Sequence, residues 1–148
     1  MSIQPIRVLL ADDHKLVRSG LCALLDTAPD IVVVGEANGG REAIVLARRL
    51  EPDVVVMDLS MPDLDGLSAT REILAQTPTR VLILTMHEEV HYLSDGMRAG
   101  ASGFLLKSVA HRELIDAIRR VSEGRTYVRP ASQMRVGLLS STRHAAAR

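Results

Sequence analysis

Val54-Val55-Val56-Met57-Asp58-Leu59-Ser60-Met61-Pro62-Asp63-Leu64-Asp65-Gly66 is the stretch that decides the fold. Four apolar residues without polar alternation read as a strand covered on both faces. The strand closes on an acid, and turn-forming residues follow. An earlier run, Arg7-Val8-Leu9-Leu10-Ala11, ends in the same way on Asp12-Asp13. Two buried strands that deliver carboxylates at their ends point to a metal site beside a carboxylate nucleophile.

Working outward, three more runs match the first two, which gives strands at Val8–Ala11, Ile31–Val34, Val54–Met57, Val81–Leu84 and Gly103–Leu106. Between them the apolar period changes to that of a helix. Val17, Leu21, Leu24 and Ala28 recur at that spacing, as do Ala43, Ala47 and Leu50. So do Val90, Leu93 and Met97, then Leu114, Ile118 and Val121. Asn38 is placed to cap the second helix, and Glu88 and Glu89 fall in the first turn of the fourth. Pro52, Pro78 and Gly124 stand where helices stop. Ala110 is a poor cap, and Ser108 allows the last helix to begin earlier.

Strand–helix alternation five times over predicts a doubly wound, three-layer α/β domain with a parallel five-stranded sheet. In such a sheet the functional crevice lies at the carboxyl ends of the strands, where strand order reverses. Asp12, Asp13 and Asp58 end strands there, and so do Thr85 and Lys107. Five polar groups on one sheet edge make a site.

The 148-residue length suits one domain, and the 47% hydrophobic content supports an ordered core. Only Tyr92, Phe104 and Tyr127 are aromatic, which disfavours stacking on a flavin or on bases. Cys22 is the single cysteine, so no intrachain disulfide forms, and it reads as core. No apolar run approaches the ~18–20 residues of a membrane span, and no signal peptide is evident, so the expected setting is cytoplasmic. Formal net charge is zero, yet from Arg129 onward there are four arginines and no acids. That tail reads as a solvated connector. The expected organisation is a folded unit over 1–125 and a linker over 126–148.

The chemistry follows from the charges. Asp12, Asp13 and Asp58 cannot crowd together ionised without a counter-charge. Mg²⁺ answers that need, because it takes oxygen ligands and is typically held by one or two carboxylates with phosphate oxygens. Asp58 can then attack phosphorus and become an acyl phosphate. Lys107 supplies a second positive charge, and Thr85 a hydroxyl for a phosphoryl oxygen. Ser60 can offer its backbone carbonyl to the metal, while Pro62 and Gly66 shape the loop. Met86, Pro62 and His87 are placed at the pocket rim, with His14 either there or simply on the surface.

Together, Asp12-Asp13, Asp58 with Met61-Pro62-Asp63-Leu64-Asp65-Gly66, Thr85 and Lys107 resemble the receiver domain of bacterial two-component response regulators. The likeness runs from about Arg7 to Gly124. Leu84-Thr85-Met86-His87 and Arg98 through Lys107 further resemble the LuxR-type (NarL/FixJ) transcriptional branch. The resemblance implies a flavodoxin-like sheet of order 2-1-3-4-5. It also implies phosphorylation of Asp58 by a sensor histidine kinase, with Mg²⁺ on Asp13, Asp58 and the Ser60 carbonyl. Asp12 would act mainly through water. Thr85 and Phe104 would form the switch, reshaping the face from the fourth helix to the fifth helix, and homodimerisation would follow phosphorylation.

There are departures. Phe104 lacks the hydroxyl common at its position, and Ser108 stands where many receivers carry proline. Met86 beside Thr85 is expected to slow dephosphorylation by hindering water. The branch normally continues into a helix-turn-helix domain of about 60 residues. Only 24 residues follow Gly124, so DNA binding is expected only through a domain this chain lacks. Two other readings compete. A phosphorylation-independent docking module would lose an acid or the lysine, and none is lost. A phosphohydrolase would carry a general acid two residues past the nucleophile, where Ser60 stands. A regulatory phosphoacceptor rather than an enzyme is the expectation.

Overall fold

A computed structural model describes residues 4–86 and 90–129. Strands and helices alternate throughout: β1 (Ile6–Ala11), α1 (Lys15–Leu25), β2 (Ile31–Ala37), α2 (Gly40–Leu50), β3 (Val54–Asp58), α3 (Gly66–Gln76), β4 (Arg80–Thr85), α4 (Val90–Arg98), β5 (Gly103–Leu106), α5 (Lys107–Ser122) and β6 (Tyr127–Arg129). The sheet order is β2-β1-β3-β4-β5-β6, and each neighbouring pair is parallel. The expected order 2-1-3-4-5 is present, with a sixth strand added at its edge. Order reverses about β1 and β3, so the crevice opens between the two strands that end in acids.

Uniformly apolar strands still alternate, now between two cores. Leu9, Ala11, Val55, Met57, Val81, Ile83 and Phe104 face one core, which is shared with Ala43 and Ala47 of α2, Ala69 and Ile73 of α3, and Leu93 of α4. Val8, Leu10, Val54, Val56, Leu82, Leu84 and Leu105 face the other, closed by Leu25 of α1 and Leu114, Ile118 and Val121 of α5. Both faces of the sheet are covered, which is why polar alternation is missing from its sequence.

The helix boundaries bring three corrections. Asn38 does not cap α2: Gly39 stands at the cap, and the Asn38 side chain accepts from Arg18 Nη1 at 2.8 Å instead. Glu42 reaches back to the Asn38 N–H at 2.7 Å. Next, one expected position of the α1 stripe, Val17, does not face the core. Leu16 and Val17 are 86% and 42% exposed, whereas Arg18 is buried. Leu21, Leu24 and Ala28 pack in the core as expected, joined by Cys22 and Leu25, and Arg18 takes the inward place expected of Val17. Finally, the sheet continues past residue 125, where a linker was expected. Tyr127 and Val128 are buried in β6, which pairs with the outer edge of β5. A three-residue strand of β-formers is too short to declare itself by periodicity.

Other ends behave as read. α2 stops at Glu51, in the left-handed region at φ 50°, just before Pro52, and α5 stops before Gly124 at φ 89°. Asp65 caps α3 by accepting the Ser68 N–H at 2.9 Å. α5 begins at Lys107, earlier than Ala110. Glu88 and Glu89 lie outside the described residues, as does the tail from Pro130.

Leu114 is fully buried between α5 and the sheet. Leu114→Ala should lower the unfolding free energy by about 3 kcal/mol, read from urea denaturation. A loss below about 1 kcal/mol would contradict this packing.

Candidate functional site

Each acid reaches the crevice because a buried strand ends just before or upon it. β1 ends at Ala11, and the Asp12 N–H still donates to the Ala37 carbonyl of β2 at 3.1 Å. β3 ends on Asp58, and the Leu59 N–H continues to the Leu84 carbonyl at 3.2 Å. Asp12 and Asp58 are each 2% exposed, while Asp13 lies half-buried at the mouth. β4 carries Thr85 to the same edge, with 1% exposure, and β5 leads straight into Lys107 at the first position of α5.

Lys107 ties the arrangement together. Its Nζ is 3.1 Å from Asp12 Oδ2 and 3.3 Å from Asp58 Oδ1, with little of the side chain reaching solvent. The Ser60 N–H donates to Asp58 Oδ1 at 3.3 Å, so the loop after β3 folds back onto the acid. Asp58 Oδ2 is buried with no hydrogen-bond partner among the described residues. Asp13 Oδ1 also lacks one, and Asp12 Oδ2 meets Lys107 as an ion pair only.

His14, which the sequence left between rim and surface, places Nδ1 at 3.2 Å from Asp12 Oδ1 and 3.3 Å from Asp13 Oδ1. Asp12, Asp13, His14 and Asp58 present ligand atoms that all lie within 4.8 Å of one another. Three carboxylates face a single ammonium there, which leaves an excess of two negative charges. A divalent cation matches that excess, and the oxygen-rich donor set suits a hard one.

Burial pushes the Asp58 carboxyl above its ordinary 3.8. Lys107 pulls it back down, Asp12 pushes it up again, and the Ser60 N–H lowers it in part. The net direction is upward. The other predicted residues sit around this centre. Ser60 and Pro62 are exposed in the loop after β3, and Met86 stands 75% exposed just past β4. Phe104 is 5% exposed in the core; a Cβ built on Gly96 would lie 3.2 Å from its ring. His87 lies outside the described residues.

Two residues at this edge had no functional reading in the sequence. Arg18 donates from Nη1 to the Asp12 carbonyl at 2.6 Å and from Nε to Glu36 at 2.8 Å. Asp63 accepts the N–H groups of Gly40 at 3.0 Å and Arg41 at 3.2 Å, capping α2 from a different loop. Those amides hold the exposed Asp63 carboxyl below its usual value, against a burial effect of opposite sign. The one available signal for Arg18 was its helical spacing to Leu21, Cys22 and Leu25.

A parallel α/β sheet with acids, a hydroxyl and a lysine at one edge defines a receiver fold. Residues 8–119 match the response regulator receiver domain family, and the chain belongs to that family. It is 44% identical over 124 residues to the response regulator UvrY of Escherichia coli, covering 83% of this chain and 57% of that protein. It is 40% identical over 136 residues to the response regulator GacA of Pseudomonas aeruginosa, covering 91% and 64%. The chain thus spans less than two thirds of the length of these curated relatives. Among solved structures it superposes with a TM-score of 0.83, at 38% identity, on a LuxR-family two-component response regulator from Aurantimonas, covering 90% and 99%. The family is generally regulatory rather than catalytic. Among the described residues, no helix is long and apolar enough to cross a membrane.

A raised Asp58 carboxyl makes its ionisation costlier in the folded chain than in the unfolded one. That cost is absent well below pH 3.8, grows as pH rises from there to the raised value, and is complete above it. Asp58→Asn should therefore stabilise the cation-free protein at neutral pH. Urea unfolding in a chelator should show the gain shrinking as pH is lowered towards 3.8. A variant less stable than wild type at neutral pH would overturn this charge assignment.

Proposed function

We propose that Asp58 is the phosphoacceptor of a two-component relay, receiving a phosphoryl group from a sensor histidine kinase in a Mg²⁺-dependent reaction. The observation that carries the reading is Asp58 Oδ2, buried and without a hydrogen-bond partner among the described residues, in a cluster whose net charge suits a divalent cation. A carboxylate held in this way is desolvated and aimed at the crevice, which is the preparation a nucleophile needs.

Asp13, Asp58 and the Ser60 carbonyl would hold Mg²⁺, with Asp12 acting mainly through water. When bound, the ion supplies charge neutralisation at the phosphoryl oxygens. Asp58 forms the new bond to phosphorus, and the bond to the donor group breaks as that group leaves with its electron pair. Lys107, already between Asp12 and Asp58, balances charge on the opposite side. Thr85 offers its hydroxyl to a phosphoryl oxygen, and Phe104 follows by packing. Phosphorylation favours whichever state of the chain contacts the phosphoryl group, so the effect is a population shift. The face from α4 to α5 carries that shift to self-association and, in a longer protein, to control of a DNA-binding domain, in the cytoplasm. The folded receiver runs through β6, and a connector follows.

Radiolabelled acetyl phosphate tests the chemistry without a kinase. Wild type should take up label with Mg²⁺, lose that capacity in EDTA, and lose it in Asp58→Asn. Equal labelling of Asp58→Asn would overturn the assignment, and a docking module that signals without phosphate would take up no label. Met86→Ala should shorten the half-life of the phosphorylated chain; an unchanged decay removes Met86 from the account.

A further inference from the structure

We propose that the β2–α2 junction, Ala37 to Arg41, is a bracket that sets the separation of the two acid-bearing loops, with Arg18 and Asp63 as its positioning residues. The proposal rests on the metal-dependent reading of the Asp12–Asp13–Asp58 cluster. The junction supplies no ligand and no reacting group. Both loops that do supply them are fastened to it.

The first fastening runs through Arg18. Its Nη1 donates to the Asp12 carbonyl at 2.6 Å, to Asn38 Oδ1 at 2.8 Å and to the Ala37 carbonyl at 3.5 Å. Its Nε donates to Glu36 at 2.8 Å. One buried guanidinium thus clamps the backbone at Asp12 to the end of β2. A planar five-donor group is suited to such a clamp, whereas an ammonium makes fewer of these bonds at once. Burying an arginine beside four acceptors is costly unless the bonds are made, so the clamp is rigid when formed.

The second fastening runs through Asp63, five residues past Asp58. Its two carboxylate oxygens each take one amide at the start of α2, from Gly40 and Arg41. The approach is close because the junction has no side chains in the way. A Cβ on Gly39 would fall 2.8 Å from Asp63 Cγ, and one on Gly40 would collide with the Leu64 carbonyl. Between the two fastenings, Glu42 accepts the Asn38 N–H and holds the junction against its own helix. The loop that Asp63 pins also carries Ser60, whose N–H touches Asp58.

Shared metal ligands respond to outer contacts that orient them, and loss of such a contact typically weakens metal binding about tenfold or more. A bracket makes a sharper prediction than two independent supports. Releasing either arm frees the distance between Asp13 and Asp58, so releasing both adds little.

The test is Mg²⁺ titration of the full chain by isothermal calorimetry, alongside the Mg²⁺ dependence of labelling by acetyl phosphate. Asp63→Ala removes both amide acceptors from an exposed side chain. Gly39→Ala displaces the same carboxylate while keeping its charge. Arg18→Lys keeps the buried charge but cannot span all its partners. Each should raise the Mg²⁺ Kd about tenfold, and saturating Mg²⁺ should restore the labelling rate to within about twofold of wild type. Arg18→Lys with Asp63→Ala should weaken binding no further than the worse single variant. A purely structural role would lower Tm and leave Mg²⁺ affinity within about twofold of wild type, and that result overturns the bracket. Losses that multiply in the double variant overturn it too. If Arg18→Lys does not fold, Asp63→Ala and Gly39→Ala decide the matter alone. Wild type that fails to bind Mg²⁺ overturns the metal reading and the bracket with it, whereas wild-type binding with unchanged variants overturns the bracket only.

Discussion

One ammonium group between two buried carboxylates is the contact on which the site depends. Lys107 reaches both Asp12 and Asp58 from the first turn of α5. Without it, acids on neighbouring strands would face each other across a crevice that water barely enters. Like charges so placed cannot both stay ionised. The lysine can do this because β5 has no loop after it: Leu106 is strand and Lys107 is already helix. Gly103 to Leu106 are all buried, so the lysine's position is as fixed as the core beneath it.

The same contact leaves the cluster incompletely compensated. A core selected only for stability would pair Asp58 Oδ2 or replace Asp58 with an apolar residue, since replacing a buried ion pair by packed apolar groups is often neutral or stabilising. Here a desolvated carboxylate persists with its titration pushed upward. Such local inconsistencies are expected where a protein gives up stability for chemistry. The surrounding sheet can carry the cost because both of its faces are closed by aliphatic cores with no exposed member in β3 or β4's inner positions.

Sequence alone made the strands and their terminal polar groups legible for a physical reason. A strand covered on both faces is a contiguous apolar run, so the first polar residue after it is fixed in position by local pattern. Asp12, Asp58, Thr85 and Lys107 were all readable on that basis. What escaped notice depends on pairs remote in sequence. Arg18 meets Glu36, and Asp63 meets Gly40, across loops that no local window joins. At the start of α1, Val17 has the chemistry of a core residue and Arg18 does not, although two buried backbone carbonyls, of Asp12 and Ala37, accept from the arginine. Asn38 has cap chemistry, but Arg18 recruits its side chain first. β6 was missed because three residues carry too little periodicity, and the edge of β5 that it covers is a tertiary feature.

The residue at position 104 bears on how the proposed switch would be weighted. Phe104 lies on β5 beside Ile83 of β4, one residue before the pair formed by Leu84 and Leu105, and its ring is already packed against Gly96 of α4. Burying a phenylalanine side chain contributes roughly 1.5–3 kcal/mol. A tyrosine at the same place would offset part of that by the cost of taking its hydroxyl from water. With no hydroxyl, the ring has little reason to leave the core in the unphosphorylated chain. A ligand shifts an equilibrium only through contacts that differ between the states, and a phenylalanine can contribute to that difference through packing alone. Under the proposed switch, the polar contact with the phosphoryl group would therefore fall to Thr85, at the end of β4.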